Sequence, residues 1–318
     1  MCIRDRLSPD IVIGMKYLYS NMPYSDVGNY TFDTYLDYVQ QGIYLWENSP
    51  YVKNYPELYF LNYVLFHRTN DEEIKPCRTY FWKKIKDKVQ GKAMVEAALE
   101  INHWCAGEVM YQGTDMRTGS ALEIYRSGVG RCGEEAVFVV NVMRSAGIPA
   151  RPVYVPRWSH CDDNHAWVEV WCDGDWHYLG ACEPEAVLDK GWFTNAASRA
   201  MMIGSRWYDR AMPDEKVIGK DGMNRIINLL GKYAKTRWIT ITVEDLDGTP
   251  AAGAKVRAEV MNYGEFSPIA IMEADKNGCI SFETGFGSLL ICAVYDGAYG
   301  EKVIDTRAVS YTHLRAHE

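Results

Sequence analysis

The sequence predicts an α+β protein with three parts: a helical N-terminal region, a core in which a cysteine-bearing helix packs on an antiparallel sheet, and a small β-sandwich. Three observations carry this reading. Apolar residues recur three and four apart through most of residues 11 to 110. The stretch Ser127-Gly-Val-Gly-Arg-Cys132-Gly-Glu-Glu-Ala-Val-Phe-Val-Val is a glycine-flexed loop feeding an apolar helix, followed further on by the alternating strand His165-Ala-Trp-Val-Glu-Val-Trp171. From Trp238 onward the pattern is short alternating segments punctuated by Asp247-Gly, Asn277-Gly and Asp296-Gly.

Tyr30 to Trp46 has helical spacing, with Asn29 as cap. Glu57 to Phe66 is an apolar run of helical length. Tyr80 to Val89 is amphipathic with a basic outer face, and Lys92 to Val109 continues as helix. Residues 111 to 131, with Gly113, Gly119, Gly128 and Gly130, read as a loop whose freedom lets a ligand approach Cys132. The helix after Cys132 should stop at Gly147, where Ile-Pro follows. Ala150 to Val155 is a strand, and residues 165–171 and 176–179 form a hairpin about Asp173-Gly-Asp. Residues 185 to 232 read as irregular, then helical from Met223 to Lys232. The last part should be a small Ig-like β-sandwich. The expected domains are 7–98, helical; 99–232, the core; and 236–308, a truncated sandwich. Residues 1–6 and 309–318 resemble translated sequencing-adapter read-through of metagenomic frames and are set aside, leaving an internal fragment of a longer protein.

Composition narrows the function. The 318 residues carry a net charge of -8 with no compensating basic block, which argues against a nucleic-acid partner. No run of about 18 apolar residues exists, so no membrane span is expected. The 22 Tyr and 10 Trp are read chiefly as core side chains. Setting Cys2 aside leaves eight cysteines without a CxxC pair, so a zinc ribbon is not expected. Cys172 and Cys182 can face each other across the hairpin or remain free thiols. No metal or cofactor is expected; Gly128-Val-Gly130 lacks a third glycine and a Walker lysine.

Cys132 is the candidate nucleophile and His165 its base. A helix N-terminus lowers a thiol pKa through the aligned peptide dipoles, and an imidazole on a neighbouring strand can take the proton. Thiolate attack on an amide carbonyl gives an oxyanion and then a thioester. The Cys132 N–H is one expected oxyanion donor, and Trp104 or Asn102 the second. Arg131, Arg157 and Trp158 are candidate cleft residues. Glu134 and Glu135 complement the helix dipole.

Gly130-Arg-Cys132-Gly-Glu, Gly147-Ile-Pro-Ala-Arg151 and His165-Ala-Trp-Val-Glu-Val-Trp171, in this order, resemble the transglutaminase-like superfamily. Asp162-Asp-Asn-His-Ala-Trp and Leu179-Gly-Ala-Cys-Glu-Pro-Glu185 resemble the large multidomain members of Bacteroidetes-type gut bacteria. The resemblance implies a papain-like core, a Cys-His-Asp triad, export from the cytoplasm, and a peptide, glycopeptide or peptidoglycan-like amide as substrate. It places an aspartate about four residues after the tryptophan of the second hairpin strand. Counting from Trp176 lands on Gly180, and the next carboxylate is Glu183, which a three-residue insertion or bulge would bring into register. Glu183 is the third candidate, with Asp163 and Asp162 as alternatives. Two function classes stand: a cysteine hydrolase or acyl transferase, and a non-catalytic surface binding or scaffold protein with a vestigial core. Oligomeric state is left open.

Overall fold

A computed structural model of the chain describes residues 8–115, 117–222 and 224–315. They divide into two units. The first comprises residues 8–153, 166–191 and 208–210; the second comprises 154–165, 192–207 and 211–315. Among the described residues, no helix is long and apolar enough to cross a membrane.

The first unit is built around the helix Cys132–Ser145. From Glu134 to Ser145 every side chain of this helix is buried, which is what a helix apolar on all faces requires. Arg144 lies within the core and is held by three carbonyls. Its Nε donates to Ala150 (2.9 Å) and its Nη1 donates to Phe66 and Arg68 (3.1 Å each). The helix stops as expected. Gly147 takes φ +84°, and the N–H groups of Gly147 and Ile148 return to the carbonyls of Arg144 and Met143. Around it pack the helices Phe32–Asn48, Arg78–Val89 and Met94–Glu108, whose buried faces share one core with it.

Residues 111–131 are not all loop. Ala121–Ser127 is a helix, capped by Ser120 and Glu123 in a reciprocal box and closed by Gly128 at φ +69°. Val129–Gly130 then pairs in parallel with Met110–Tyr111. Two of the four glycines therefore have structural duties. Gly128 ends a helix, and Gly130 sits so close to Glu134 that an added Cβ would lie 3.1 Å from that residue's Cβ.

The strands Ala150–Val155, His165–Cys172 and Asp175–Leu179 follow, with His165–Cys172 between the other two. The last two form the expected hairpin, with Val168 opposite Leu179 and Trp171 opposite Trp176. Arg151 and Glu169 make a buried ion pair (Nη2–Oε2 2.7 Å), and the guanidinium lies 4.0 Å from the centroid of the Trp176 ring.

In the second unit, Asn224–Asn228 is a strand rather than the helix expected over 223–232. It pairs with Gly204–Trp207 and Lys216–Asp221, and one 3-10 turn, Leu230–Lys232, follows. Met223 lies outside the described residues. The remaining strands make two sheets. In one, Lys255–Asn262 and Ser288–Tyr295 are central, flanked by Glu265–Glu273 and Ala298–Asp305. In the other, Arg237–Glu244 is flanked by Cys279–Thr284 and Tyr311–Arg315. Inward residues of both sheets, among them Ile241, Phe282, Val256 and Ile291, form one apolar core. Part of the tail set aside in the sequence thus folds as a strand, and His313 pairs with Glu244 (3.0 Å). Residues 1–6, His317 and its neighbours lie outside the described residues.

Candidate active site

Cys132 is the first residue of its helix. Its N-terminal turn is organised by Glu134, whose carboxylate accepts the N–H groups of Arg131 (3.2 Å) and Gly119 (3.1 Å) and the hydroxyl of Thr114. Arg131 reaches across to Thr118 Oγ1 (2.8 Å) and the Arg117 carbonyl (3.2 Å). Glu134 and Arg131 thereby fasten the preceding loop to the helix start. Glu134 and Glu135 N–H bond back to the Arg131 carbonyl, and the amides of Gly133 and Ala166 are turned towards the Cys132 sulfur.

That half-buried thiol does not behave as a helix mouth alone would make it. Burial pushes its pKa up, and this outweighs the lowering by the Ala166 and Gly133 amides and by Arg131. The expected ionised resting thiolate is therefore corrected to a neutral thiol. The dipole and two amides lower the cost of making the anion without making it the ground state.

Ala166, which faces the sulfur, is covalently preceded by His165, the first residue of the strand His165–Cys172. Within the second unit His165 is buried between the rings of Trp192 (4.7 Å) and Phe193 (5.0 Å). Burial drives its pKa down to about 4, against a smaller raising effect from Asp163. The imidazole is neutral through the physiological range. Neither aromatic partner was singled out by the sequence.

The loop before His165 is tied to the hairpin end at Asn262 and Tyr263. Asn262, fully buried at a hairpin end, donates from Nδ2 to the carbonyls of Trp158 (2.9 Å), Cys161 (2.9 Å) and Asp163 (3.3 Å). Tyr263 N–H donates to Asp162 Oδ1 (2.6 Å), and Asp163 Oδ1 accepts from Asn164 N–H (2.8 Å). Both alternative aspartates thus serve loop geometry. Trp158, expected in a cleft wall, is only 2% exposed and sits beside His160. Arg157 donates to the Pro156 carbonyl (2.8 Å).

Glu183 is brought round by a four-residue turn. After the strand Asp175–Leu179 ends, Glu183 N–H bonds the Gly180 carbonyl (3.2 Å), making Gly180 and Glu183 bridge partners. The position reached by counting from Trp176 and the carboxylate three residues later therefore lie side by side. Cys182 occupies the corner at φ +56°. A Cβ on Gly180 would fall 2.8 Å from that of Glu183, so only glycine fits there. Beside Glu183 lies Glu135, one helical turn after Cys132 and 3% exposed. Burial first, and then the charge of Glu183, push its carboxyl up to about 8. Burial and both carboxyl groups also raise the Cys182 thiol.

Asn102 belongs to the same turn. Its Nδ2 donates to the Gly180 carbonyl (2.9 Å), and its Oδ1 accepts from Cys182 N–H (3.1 Å). The oxyanion role considered for Asn102 gives way to this one, because its carboxamide grips the turn on both donor and acceptor sides. Trp104, on the same helix, is stacked on Tyr125 (5.9 Å, 29°) and tilted against Phe138 (6.0 Å). Cys172 and Cys182 are free thiols, as are the other six cysteines among the described residues.

Residues 83–181 match the model of the transglutaminase-like superfamily, a span that runs from the helix before Asn102 through Cys132 and His165 to the start of the Glu183 turn. They form a transglutaminase-like domain. No curated protein sequence matches the chain. Among solved structures, the chain is similar to a proposed cysteine protease from Cytophaga hutchinsonii, at 18% identity over 48% of this chain and 57% of that one, with a TM-score of 0.28. A proposed protease from Parabacteroides distasonis is 13% identical over 71% of this chain and 36% of that one (TM-score 0.30). Red sea bream transglutaminase is 11% identical over 99% of this chain and 64% of that one (TM-score 0.34). The chain spans under two thirds of the length of each.

Proposed function

We propose that the transglutaminase-like domain is a cysteine-dependent hydrolase or acyl transferase, acting on amide bonds of peptide, glycopeptide or peptidoglycan-like substrates, with Cys132, His165 and Glu183 as its triad. One observation carries the reading: the backbone amide of Ala166 lowers the pKa of the Cys132 thiol, and Ala166 is bonded directly to His165 at the start of its strand. The Ig-like reading of the C-terminal sheets belongs to the same proposal, as a module carried beside the domain.

Chemistry follows from the protonation states. With a neutral thiol and a neutral imidazole, the proton leaves Sγ for the imidazole as Sγ bonds the carbonyl carbon; this is general-base attack rather than a preformed ion pair. The negative charge moves to the carbonyl oxygen, within reach of the Cys132 N–H at the open end of the helix. Collapse breaks the C–N bond, and the amine leaves with the proton from His165. Water or a second amine then attacks the thioester, giving the acid or a new amide and restoring the thiol. Glu183 holds the imidazole and balances its charge while it is protonated.

The neutral resting pair is also what favours the second reading, a non-catalytic binding protein. p-Nitrophenyl acetate separates the two. The tryptic peptide Cys132–Arg144 has no lysine, serine, threonine or tyrosine, so an acetyl group on it reports the thiol alone. Acetylation of Cys132 should release p-nitrophenolate, slow by about a hundredfold or more in His165→Ala, and disappear in Cys132→Ala. A His165→Ala protein acetylated as fast as the parent would leave the binding reading.

A further inference from the structure

We infer that Asn102 is a positioning residue that acts through Glu183, its buried carboxamide locking the Gly180–Glu183 turn so that the carboxylate is presented in one orientation. The inference rests on the triad reading above, with Glu183 orienting His165.

Three features require an external hold on this turn. Cys182 has φ +56°, a left-handed conformation that is strained for a residue with a Cβ. Gly180 gives Glu183 room only because it lacks a Cβ. Glu135 is packed beside Glu183 on the buried side, and the charge of Glu183 raises its carboxyl, so the two acidic groups repel each other across the turn. Left to itself, the turn would relax outward and take the carboxylate with it.

Asn102 opposes each of these tendencies. It is 1% exposed on the helix Met94–Glu108, which packs against the Cys132 helix, so its own position is set by the core. Its two hydrogen bonds reach the first and third residues of the turn, spanning the corner where Cys182 is strained. One planar group supplies both the donor that Gly180 needs and the acceptor that Cys182 needs. Aspartate lacks the donor, and leucine lacks both. Removing it leaves the Cys182 N–H unpartnered and the Gly180 carbonyl with only the Glu183 N–H, which the turn can make good only by opening to solvent.

A double-mutant cycle tests whether this hold is exerted on the chemistry or only on the fold. Cys132 acetylation by p-nitrophenyl acetate is measured across pH in the parent, Asn102→Ala, Glu183→Gln and the double variant, with folding checked by circular dichroism. Asn102→Ala should slow acetylation about tenfold to a hundredfold at neutral pH, the scale of losing an oriented group, and displace the pH profile in the same direction as Glu183→Gln. In the Glu183→Gln background the same change should add less than about twofold. A full-sized additional loss there overturns the inference. A slowed Glu183→Gln beside an unaffected Asn102→Ala overturns it while leaving the triad standing. An unaffected Glu183→Gln overturns the triad and the inference with it. Should Asn102→Ala fail to fold, Gly180→Ala strikes the same turn with Asn102 intact, and its effect should vanish in the Glu183→Gln background in the same way.

Discussion

Glu135 and His165 are pushed in opposite senses by one cause, and their signs differ in consequence. Glu135 has a folded pKa of about 8, above its ordinary 4.5, so its contribution to stability is fully present below pH 4.5 and is lost as pH rises through about 8. His165 sits at about 4, below its ordinary 6.5, so its contribution is present above 6.5 and is lost as pH falls through about 4. Glu135→Gln keeps the shape and removes the first titration. Relative to the parent it should gain stability steadily between about pH 5 and about pH 9, seen as a rising difference in urea midpoint. Parallel pH dependence in the two proteins would mean that Glu135 is not held neutral by the fold. At the same scale, the general-base mechanism predicts that Cys132 reactivity persists down to about pH 5 and falls only as His165 takes a proton near 4. A half-maximum near 6.5 in the acetylation profile would contradict the burial of that imidazole.

At the scale of elements, loops rather than helices deliver two of the three candidate groups, and each loop is held by an asparagine from elsewhere in the sequence. Asn102 holds the Glu183 turn, and Asn262 holds the loop that ends at His165. Asn262→Ala takes the side-chain donor from three carbonyls, of which Cys161 and Asp163 keep one backbone donor each, and should cost about 2 kcal/mol in a denaturant melt. Because His165 follows that loop directly, Cys132 acetylation should slow as well. Lost stability with unchanged acetylation would make Asn262 a structural anchor only. The helix Ala121–Ser127 teaches a different lesson. Ser120 and Glu123 spell a capping box that the sequence displays openly, yet four glycines nearby outweighed it. Glycine there closes a helix and lets backbones approach, and does not mark a loop.

For the molecule, the first unit buries charge as well as apolar area. Asp26 is 1% exposed and receives His67 (2.9 Å) and Arg68 Nε (2.7 Å); Arg68 in turn donates to the Glu72 carbonyl (2.7 Å). His67 and Arg68 hold the Asp26 carboxyl below its ordinary range despite burial, which alone would raise it. Its contribution is therefore present above the ordinary carboxyl pKa and lost on acidification. Asp26→Asn leaves Arg68 with only the more distant Glu72 carboxylate (3.8 Å) and should destabilise the protein by about 3 kcal/mol, a loss a chemical-denaturation curve would resolve. A loss below about 1 kcal/mol would mean that water reaches Arg68 freely.

Composition, apolar spacing and three short motifs were enough to place a cysteine at a helix start, a histidine at a strand start and an α+β domain around them, because helix periodicity and chain punctuation are local properties. The same kind of reading went astray at 224–228, where Ile226 and Ile227 suit a strand as well as a helix and the partner strands Gly204–Trp207 and Lys216–Asp221 settle the choice. It also missed the protonation of Cys132, since a dipole acts within one turn whereas burial is imposed by the packed core. Glu183 shows the division most clearly. Its register depends on a turn kept closed by a residue some eighty positions earlier in the chain, and no local pattern records a hydrogen bond of that reach.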